Sequence, residues 1–163
     1  MPLKKVAILM GSSSDYETVK PAEAALKKYG IEYETHVMSA HRTPELAAEF
    51  SKNAESKGFG VIIAAAGKAA HLAGAIAANT VLPVIGIPIK GSAFLGFDSL
   101  LSTVQMPAGI PVATVAVDGA RNAAILAAQI LAVGDAALSK ALKDERAEMK
   151  NEIIKSDTLM SKK

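Results

Sequence analysis

The sequence predicts one α/β domain in which a parallel five-stranded sheet is covered by helices on both faces. Two observations and one general rule favour this class. Short apolar segments alternate with segments of helical periodicity along the 163 residues. The apolar segments carry hydrophobic side chains on both faces, which is typical of parallel strands buried between helices. The crossover connections of strand–helix–strand units are right-handed, so successive units add parallel strands to a single sheet.

The first strand is expected at residues 6–10, a short apolar stretch rich in β-forming residues. Residues 14–29 then carry apolar side chains at helical spacing. Ser14, with Glu17 three residues later, has the form of a capping box. Pro21 lies inside this segment, so we expect either a kink there or a helix that effectively begins later.

The second strand alternates over residues 32–38, and a strong helix start follows it. Thr43 is a preferred N-cap, Pro44 suits the first helical position, and Glu45 places an acid in the first turn. The buried face of this helix is expected to consist of three apolar side chains, Leu46, Phe50 and Ala54.

The second half of the chain continues the alternation. Three more strands are expected, at residues 61–65, 84–87 and 112–115. Helices are expected after Gly67 to about Asn79 and at about 98–104, 122–133 and 135–155. Together these elements predict a flavodoxin-like three-layer sandwich with an extra C-terminal helix.

The helix expected at residues 122–133 has little polar face, so it cannot face water along its whole length. We expect it to lie in a subunit interface. The alternative is that it lies beneath the C-terminal helix of its own chain.

Length and charge limit the possible functions. We expect residues 1–163 to form a single domain, with a core at about 4–134 and a C-terminal helix and tail at about 135–163. The 18 lysines and arginines nearly balance 16 aspartates and glutamates, which argues against a nucleic-acid partner bound by bulk positive charge. The absence of cysteine excludes disulfides, thiolate metal sites and thiol nucleophiles. Without a membrane-spanning apolar run or a secretory segment, we expect a soluble, cytoplasmic protein.

Polar residues collect in the loops that follow the expected strands. In open parallel sheets the ligand crevice lies beyond the carboxyl ends of the strands, so these loops are the place to look for function. The four loops are Gly11–Asp15, Ser39–Pro44, Ala66–His71 and Lys90–Phe94.

Each loop suggests a chemical role. A turn rich in glycine and serine that opens a helix presents backbone N–H groups and hydroxyls to an anion. Arg42 could close on the same anion with a forked contact. Asp15 would accept hydrogen bonds from a ribose hydroxyl or an amine. His41 is the group of the second loop suited to proton transfer, because histidine as a residue type exchanges protons near neutral pH.

The polar residues of the first two loops also have purely structural interpretations. Ser14 could only cap a helix, and Ser12 and Ser13 could simply form a turn. Arg42 could pair with Glu45 on the surface.

The three histidines have structural alternatives as well. His41 could be a structural histidine at a strand end, and His71 is a packing residue as readily as a ligand contact. His36, inside the second strand, is interpreted as structural. No histidines and carboxylates show metal-ligand spacing, so no metal site is expected.

Several ligands that this fold class commonly binds are excluded by the same loops. No G-x-G-x-x-G follows the first strand, and no G-x-x-x-x-G-K-[ST] occurs, which excludes the usual dinucleotide and ATP motifs. Flavin-stacking aromatics are missing from the ligand loops, apart from Phe94 and Phe97. The third strand ends in alanine and glycine, so it places no aspartate as a phosphoacceptor. A small phosphorylated metabolite that needs one proton transfer fits best.

At these loops the chain resembles the N5-carboxyaminoimidazole ribonucleotide mutases of purine biosynthesis. The resemblance runs in order from residue 4 to about residue 134. The matching segments are Gly11–Asp15, Ser39–Pro44, Ala69–Leu72, Asp98–Pro107, Gly109–Thr114 and Asn122–Ala124.

The resemblance implies a homo-octamer of flavodoxin-like subunits with active sites at subunit junctions. It implies an isomerase that moves a carboxyl group from the exocyclic nitrogen of aminoimidazole ribonucleotide to ring carbon 4, without metal, ATP or organic cofactor. His41 matches the catalytic histidine of the family. The other matched positions are the substrate-binding Ser12, Asp15 and Arg42, and the pocket-lining Ser14, Ser39, Gly67 and His71.

Two positions depart from the family pattern: Lys68 stands where glycine is usual, and Ala73 where proline is usual. A sister branch carboxylates aminoimidazole ribonucleotide directly with CO2 and has a basic residue near the Lys68 position. That branch lacks the Ala69–Leu72 match and has lysine at the start of the Arg42–Pro44 segment, so the mutase is favoured. A non-catalytic binding protein for a phosphorylated metabolite is a further alternative, although mere binding would not need the imidazole of His41.

Overall fold

The computed structural model describes residues 3–91 and 93–161. Over these residues the chain forms a single parallel sheet. Its strands are β1 (Lys5–Met10), β2 (Tyr33–Val37), β3 (Phe59–Gly67), β4 (Val84–Ile89) and β5 (Ala113–Thr114). The helices are α1 (Tyr16–Lys28), α2 (Pro44–Asn53), α3 (Leu72–Ala77), α4 (Phe97–Val104), α5 (Ala120–Ala132) and α6 (Ala136–Met160).

The strand order across the sheet is β2-β1-β3-β4-β5, and all neighbouring strands are parallel. This order confirms the predicted flavodoxin-like sandwich. The chain first adds β2 on one side of β1 and then returns to add β3 on the other side. The connections that leave the ends of β1 and β3 therefore diverge, and a crevice opens between them.

Two helix layers bury the two faces of the sheet, because successive side chains of each strand point in opposite directions. On β1, Val6, Ile8 and Met10 lie in the core under α1, α5 and α6. Ala7 and Leu9 lie in the opposite core, under α2 and α3. None of the helices in the described ranges is both long and apolar enough to cross a membrane.

The expected capping box at the start of the first helix is wrong. The hydroxyl of Ser12, rather than that of Ser14, accepts a backbone hydrogen bond, from the Ser14 N–H at 3.3 Å, and caps one 3-10 turn. Since this turn precedes α1, the helix begins at Tyr16, later than expected, and Glu17 falls too early in it to complete the box. Pro21 stays inside α1.

The expected buried face of α2 is partly wrong. Phe50 and Ala54 are buried as predicted, but the side chain of Leu46 is 49 % exposed. Ala47 is buried instead, because the spacing from 47 to 50 to 54 keeps one face of the helix toward the sheet. Thr43 precedes Pro44 at the N-cap position, but its side chain makes no capping hydrogen bond.

The alanine-rich α5 lies against α1, β3 and β4, and α6 covers part of it. Its small side chains let these elements approach closely, and five alanines of α5 are buried: Ala120, Ala123, Ala124, Ala127 and Ala128. Contact with α6 agrees with the alternative that α5 lies beneath the C-terminal helix of its own chain. Glu145 of α6 accepts hydrogen bonds from Lys28 and Arg121, each at 2.9 Å, and so joins α6 to α1 and α5.

Gly86 in the middle of β4 permits the close approach of α4. A Cβ atom at this position would lie 2.3 Å from Cγ2 of Thr103 and 3.0 Å from Cγ1 of Val112. We predict that Gly86→Ala lowers the free energy of unfolding by about 1–3 kcal/mol, because the methyl group overpacks a filled core. Urea-induced unfolding measures this change.

Gly134→Ala is the matched control, since a Cβ there would meet no atom within 4 Å. We expect its unfolding free energy to stay within about 1 kcal/mol of the original or to rise. Equal losses in the two variants would contradict the tight packing of α4 on β4.

Candidate active site

A cavity of about 670 Å³ lies at the carboxyl ends of the strands, where the loops after β1, β2, β3 and β4 converge. All of the site residues predicted from the sequence line this cavity. They are Ser12, Ser14, Asp15, Ser39, His41, Arg42, Gly67 and His71. The structure thus brings together residues that are up to 59 positions apart in the chain, although their roles remain predictions.

The loop after β1, Gly11–Asp15, is called the serine loop, and its conformation is stabilised by its own hydroxyl groups. The Gly11 N–H donates to the carbonyl of Ala65 at 3.1 Å, which extends the β1–β3 ladder to the edge of the cavity. The Ser14 hydroxyl donates to the Ser12 hydroxyl at 2.8 Å. This short turn opens directly into α1, so backbone N–H groups and hydroxyls collect where an anion is favoured.

Asp15 is the carboxylate of the cavity wall, and it is half-buried. Burial raises the pKa of its carboxyl above the ordinary value, against the lowering effects of a Ser14 hydrogen bond and the Arg42 charge. The carboxylate can accept hydrogen bonds from hydroxyl or amine groups of a ligand.

Ser39 organises the loop after β2. Its hydroxyl accepts hydrogen bonds from the backbone N–H groups of His41 and Arg42, at 3.3 and 3.2 Å. Its own N–H donates to the hydroxyl of Thr43 at 2.8 Å. These bonds close a compact turn that directs the side chains of His41 and Arg42 into the cavity wall.

Arg42 links the loops after β2 and β1. Its guanidinium donates to the carbonyl of Gly11 at 2.5 Å and, through Nε, to the Ser39 hydroxyl at 3.4 Å. The alternative of a surface pair with Glu45 is not found among the ion pairs of residues 3–91 and 93–161. Arg42 therefore places a cation beside the serine loop.

His41 and His71 meet across the cavity, from the loop after β2 and the position just before α3. Nε2 of His41 lies 2.8 Å from Nδ1 of His71, and the rings are inclined at 75°. A hydrogen bond between two ring nitrogens needs one N–H and one lone pair, so one proton lies between the two rings. The sequence leaves packing and ligand contact equally open for His71, and the structure makes it the hydrogen-bond partner of His41.

His36 lies in β2, where Nε2 is 3.3 Å from a Glu34 carboxylate oxygen and the ring is tilted against Phe50. Glu34 also bonds the Lys5 ammonium, and this hydrogen bond, together with a smaller contribution from His36, lowers the pKa of the Glu34 carboxyl. His36 does not line the cavity, in agreement with its structural interpretation.

The cavity wall also contains two lysines that are not among the predicted site residues. Lys68 and Lys90 lie on its β3–β4 side, and Gly91 follows them in the wall. The backbone N–H of Lys90 donates to Asp118 at 2.9 Å. The sequence signal for these two lysines is their position directly after β3 and β4, where ligand-binding loops are expected. Within the described parts of the chain, no group of three histidine, aspartate or glutamate residues is placed to hold a metal ion.

Comparison with known proteins identifies the family. The sequence pattern of the AIR carboxylase family matches residues 5–152. The chain belongs to the AIR carboxylase family. It is 51% identical over 152 residues to the N5-carboxyaminoimidazole ribonucleotide mutase of Saccharolobus solfataricus, covering 93% of this chain and 96% of that one. The mutase of Bacillus subtilis is 50% identical over 153 residues, covering 93% and 94% of the two chains.

A solved structure agrees with this assignment. The crystal structure of Treponema denticola PurE superimposes with a TM-score of 0.86 at 32% identity, covering 94% of this chain and 96% of that one. The family resemblance seen in the loop motifs and the flavodoxin-like fold are both confirmed.

Proposed function

We propose that this chain is a mutase of purine biosynthesis that converts N5-carboxyaminoimidazole ribonucleotide to 4-carboxy-5-aminoimidazole ribonucleotide. Relatives about 50% identical over most of the chain carry the name of this enzyme. The observation that carries the mechanism is the cavity, in which a hydrogen-bonded histidine pair lies beside an anion-binding turn.

The reaction balances with a single mobile proton. Breaking the N–C bond of the carbamate releases CO2 and leaves the exocyclic nitrogen to take up a proton. Ring carbon 4 then attacks CO2 to form the new C–C bond and loses its own proton. One group that takes up the second proton and replaces the first therefore suffices, without metal, ATP or organic cofactor.

His41 is proposed as this proton shuttle. His71, hydrogen-bonded to it at 2.8 Å, holds the ring orientation and can share the proton. The two rings share one N–H. The protonation state of His41 and its hydrogen bond to His71 therefore depend on each other.

The remaining residues bind and enclose the substrate. Ser12, Ser14 and Arg42 hold the phosphate, and Asp15 accepts hydrogen bonds from the ribose hydroxyls. Ser39 orients the turn that carries Arg42. Gly67, the last residue of β3, forms part of the cavity wall. Keeping CO2 beside the ring is a proximity effect worth several kcal/mol.

A paired ultraviolet assay without ATP or metal tests the proposed reaction. One cuvette contains N5-carboxyaminoimidazole ribonucleotide, and the other aminoimidazole ribonucleotide with a modest supply of bicarbonate. We predict rapid formation of the 4-carboxylated product only in the first.

The second cuvette addresses the alternative of direct carboxylation, which Lys68 favours because it places a cation in the cavity wall. Rapid turnover there alone would replace the mutase assignment by direct carboxylation with CO2. If neither cuvette shows turnover, the remaining alternative is a non-catalytic binding protein with the same fold.

For His41→Asn we predict a fall in kcat of about 10²–10⁴-fold with little change in substrate affinity, because asparagine cannot exchange the proton at neutral pH. The same assay gives kcat, and calorimetric titration gives affinity. His36→Asn is the matched control, a histidine outside the cavity lining, and should keep its activity. A near-normal kcat for His41→Asn would exclude the shuttle role.

We further propose a cytoplasmic homo-octamer in which residues 1–163 act as one mutase domain, with active sites at subunit junctions. Exposed large side chains between β4 and the start of α4 support an interface: Phe94 is 66 %, Leu95 68 % and Phe97 63 % exposed. Eight chains of 16.8 kDa amount to about 134 kDa, which multi-angle light scattering should find. A monomeric mass in active samples would contradict this assembly.

A further inference from the structure

Lys68 has a backbone conformation that lysine rarely adopts. At the end of β3 its φ is +57°, in the left-handed region where a Cβ is disfavoured. Non-glycine residues keep such conformations only where the surroundings impose them, and these positions cluster at functional sites. The conformation therefore marks Lys68 as a candidate functional residue.

Two contacts hold Lys68 in the wall of the cavity. Its carbonyl accepts a hydrogen bond from the Ser102 hydroxyl of α4 at 3.4 Å. Its side chain runs past the end of β4, with Cγ 3.8 Å from the position that a Cβ of Gly91 would take. The aliphatic part of Lys68 thus lies along the β4 side of the cavity, and the side chain remains exposed to the cavity space.

The ammonium of Lys68 is not used in an ion pair. No carboxylate of residues 3–91 and 93–161 lies within 4.0 Å of it. The neighbouring Lys90 adds a second cation to the same side of the cavity. Two carboxylates lie near these lysines: Asp98, whose Oδ2 is 3.9 Å from the position of a Gly91 Cβ, and Asp118, which accepts the Lys90 N–H. Among the described residues neither forms an ion pair with a lysine ammonium, and Asp15 is the carboxylate that lines the cavity. This side of the cavity therefore attracts a ligand anion.

The cavity has two positive regions at opposite ends. Arg42 extends from the β2 loop over the β1 loop, whereas Lys68 follows β3 on the side of β4. Because its guanidinium bonds the Gly11 carbonyl at the end of β1, the charge of Arg42 lies about one strand spacing, roughly 5 Å, from the end of β3, and Lys68 lies beyond β3 toward β4. A ligand with one anionic group at each end matches this arrangement.

We propose that Lys68 binds the carboxylate that the reaction transfers. This inference rests on the proposed function, in which the substrate has a phosphate at one end and a carboxylate on the imidazole at the other. With the phosphate at the serine loop and Arg42, the imidazole extends toward β3 and β4. Lys68 then contacts the carboxylated nucleotides through a charge-assisted hydrogen bond and has no such partner in aminoimidazole ribonucleotide.

The test compares the affinities of the two nucleotides by isothermal titration calorimetry. The 163-residue chain carries His41→Asn throughout, so that the ligand is not turned over. We expect Lys68→Met to weaken binding of 4-carboxy-5-aminoimidazole ribonucleotide about tenfold, the effect of losing one charge-assisted hydrogen bond. Binding of aminoimidazole ribonucleotide should change less than about threefold, because the general loss of positive charge is screened.

Three further variants separate this role from structural and long-range effects. Lys68→Arg should retain the preference for the carboxylated nucleotide. Lys68→Gly should lose the preference while its thermal unfolding midpoint rises, because glycine adopts a positive φ without strain. Lys57→Met removes a lysine from an exposed turn outside the cavity and should leave both affinities unchanged.

An equal loss for both nucleotides in Lys68→Met would overturn the proposal, because it would place Lys68 at the phosphate or ribose. Unchanged affinities would overturn it too. If the unaltered chain turns over its substrate while Lys68→Met still prefers the carboxylated nucleotide to aminoimidazole ribonucleotide, the role of Lys68 is wrong and the proposed function stands. If the unaltered chain neither binds nor converts the nucleotides, the proposed function fails with it.

Discussion

The pairing of β1 with β3 is the constraint on which the site depends. These two central strands run side by side, and Gly11 continues their ladder to the carbonyl of Ala65. Because the chain passes from β1 to β2 on one side and from β3 to β4 on the other, the loops that follow β1 and β3 diverge and leave a crevice. Apart from Gly67, which ends β3, the residues proposed for binding or catalysis belong to loops that border this crevice.

Charge and hydrogen bonding divide the crevice into regions with different chemistry. The serine loop and Arg42 form a cationic end, and the two lysines after β3 and β4 form another. The histidine pair is formed from the β2 loop and from the residue just before α3. A substrate with two anionic groups and one proton to move uses all three regions, which explains why the loops of four strands are needed.

Particular residues show how far sequence reasoning reaches. Ser12, Asp15, Arg42 and His41 could be selected because polar residues after parallel strands meet at one edge of the sheet. Local signals were less reliable. The spacing of Ser14 and Glu17 suggested a capping box, but an added 3-10 turn moved the helix start beyond it. Leu46 looked like a core residue, yet its neighbour Ala47 lies under the sheet, since neighbouring positions on a helix face different directions.

The sequence by itself determined the fold class, the family and the loops that carry chemistry, because each of these follows from local patterns of hydrophobicity and short motifs. Only the tertiary structure decided that His71 bonds His41, that Ser39 organises the turn of Arg42, and that Lys68 lies unpaired in the cavity wall of the described chain. Such contacts depend on the relative positions of loops from different strands. Strand order and helix packing set those positions, and no short stretch of sequence contains them.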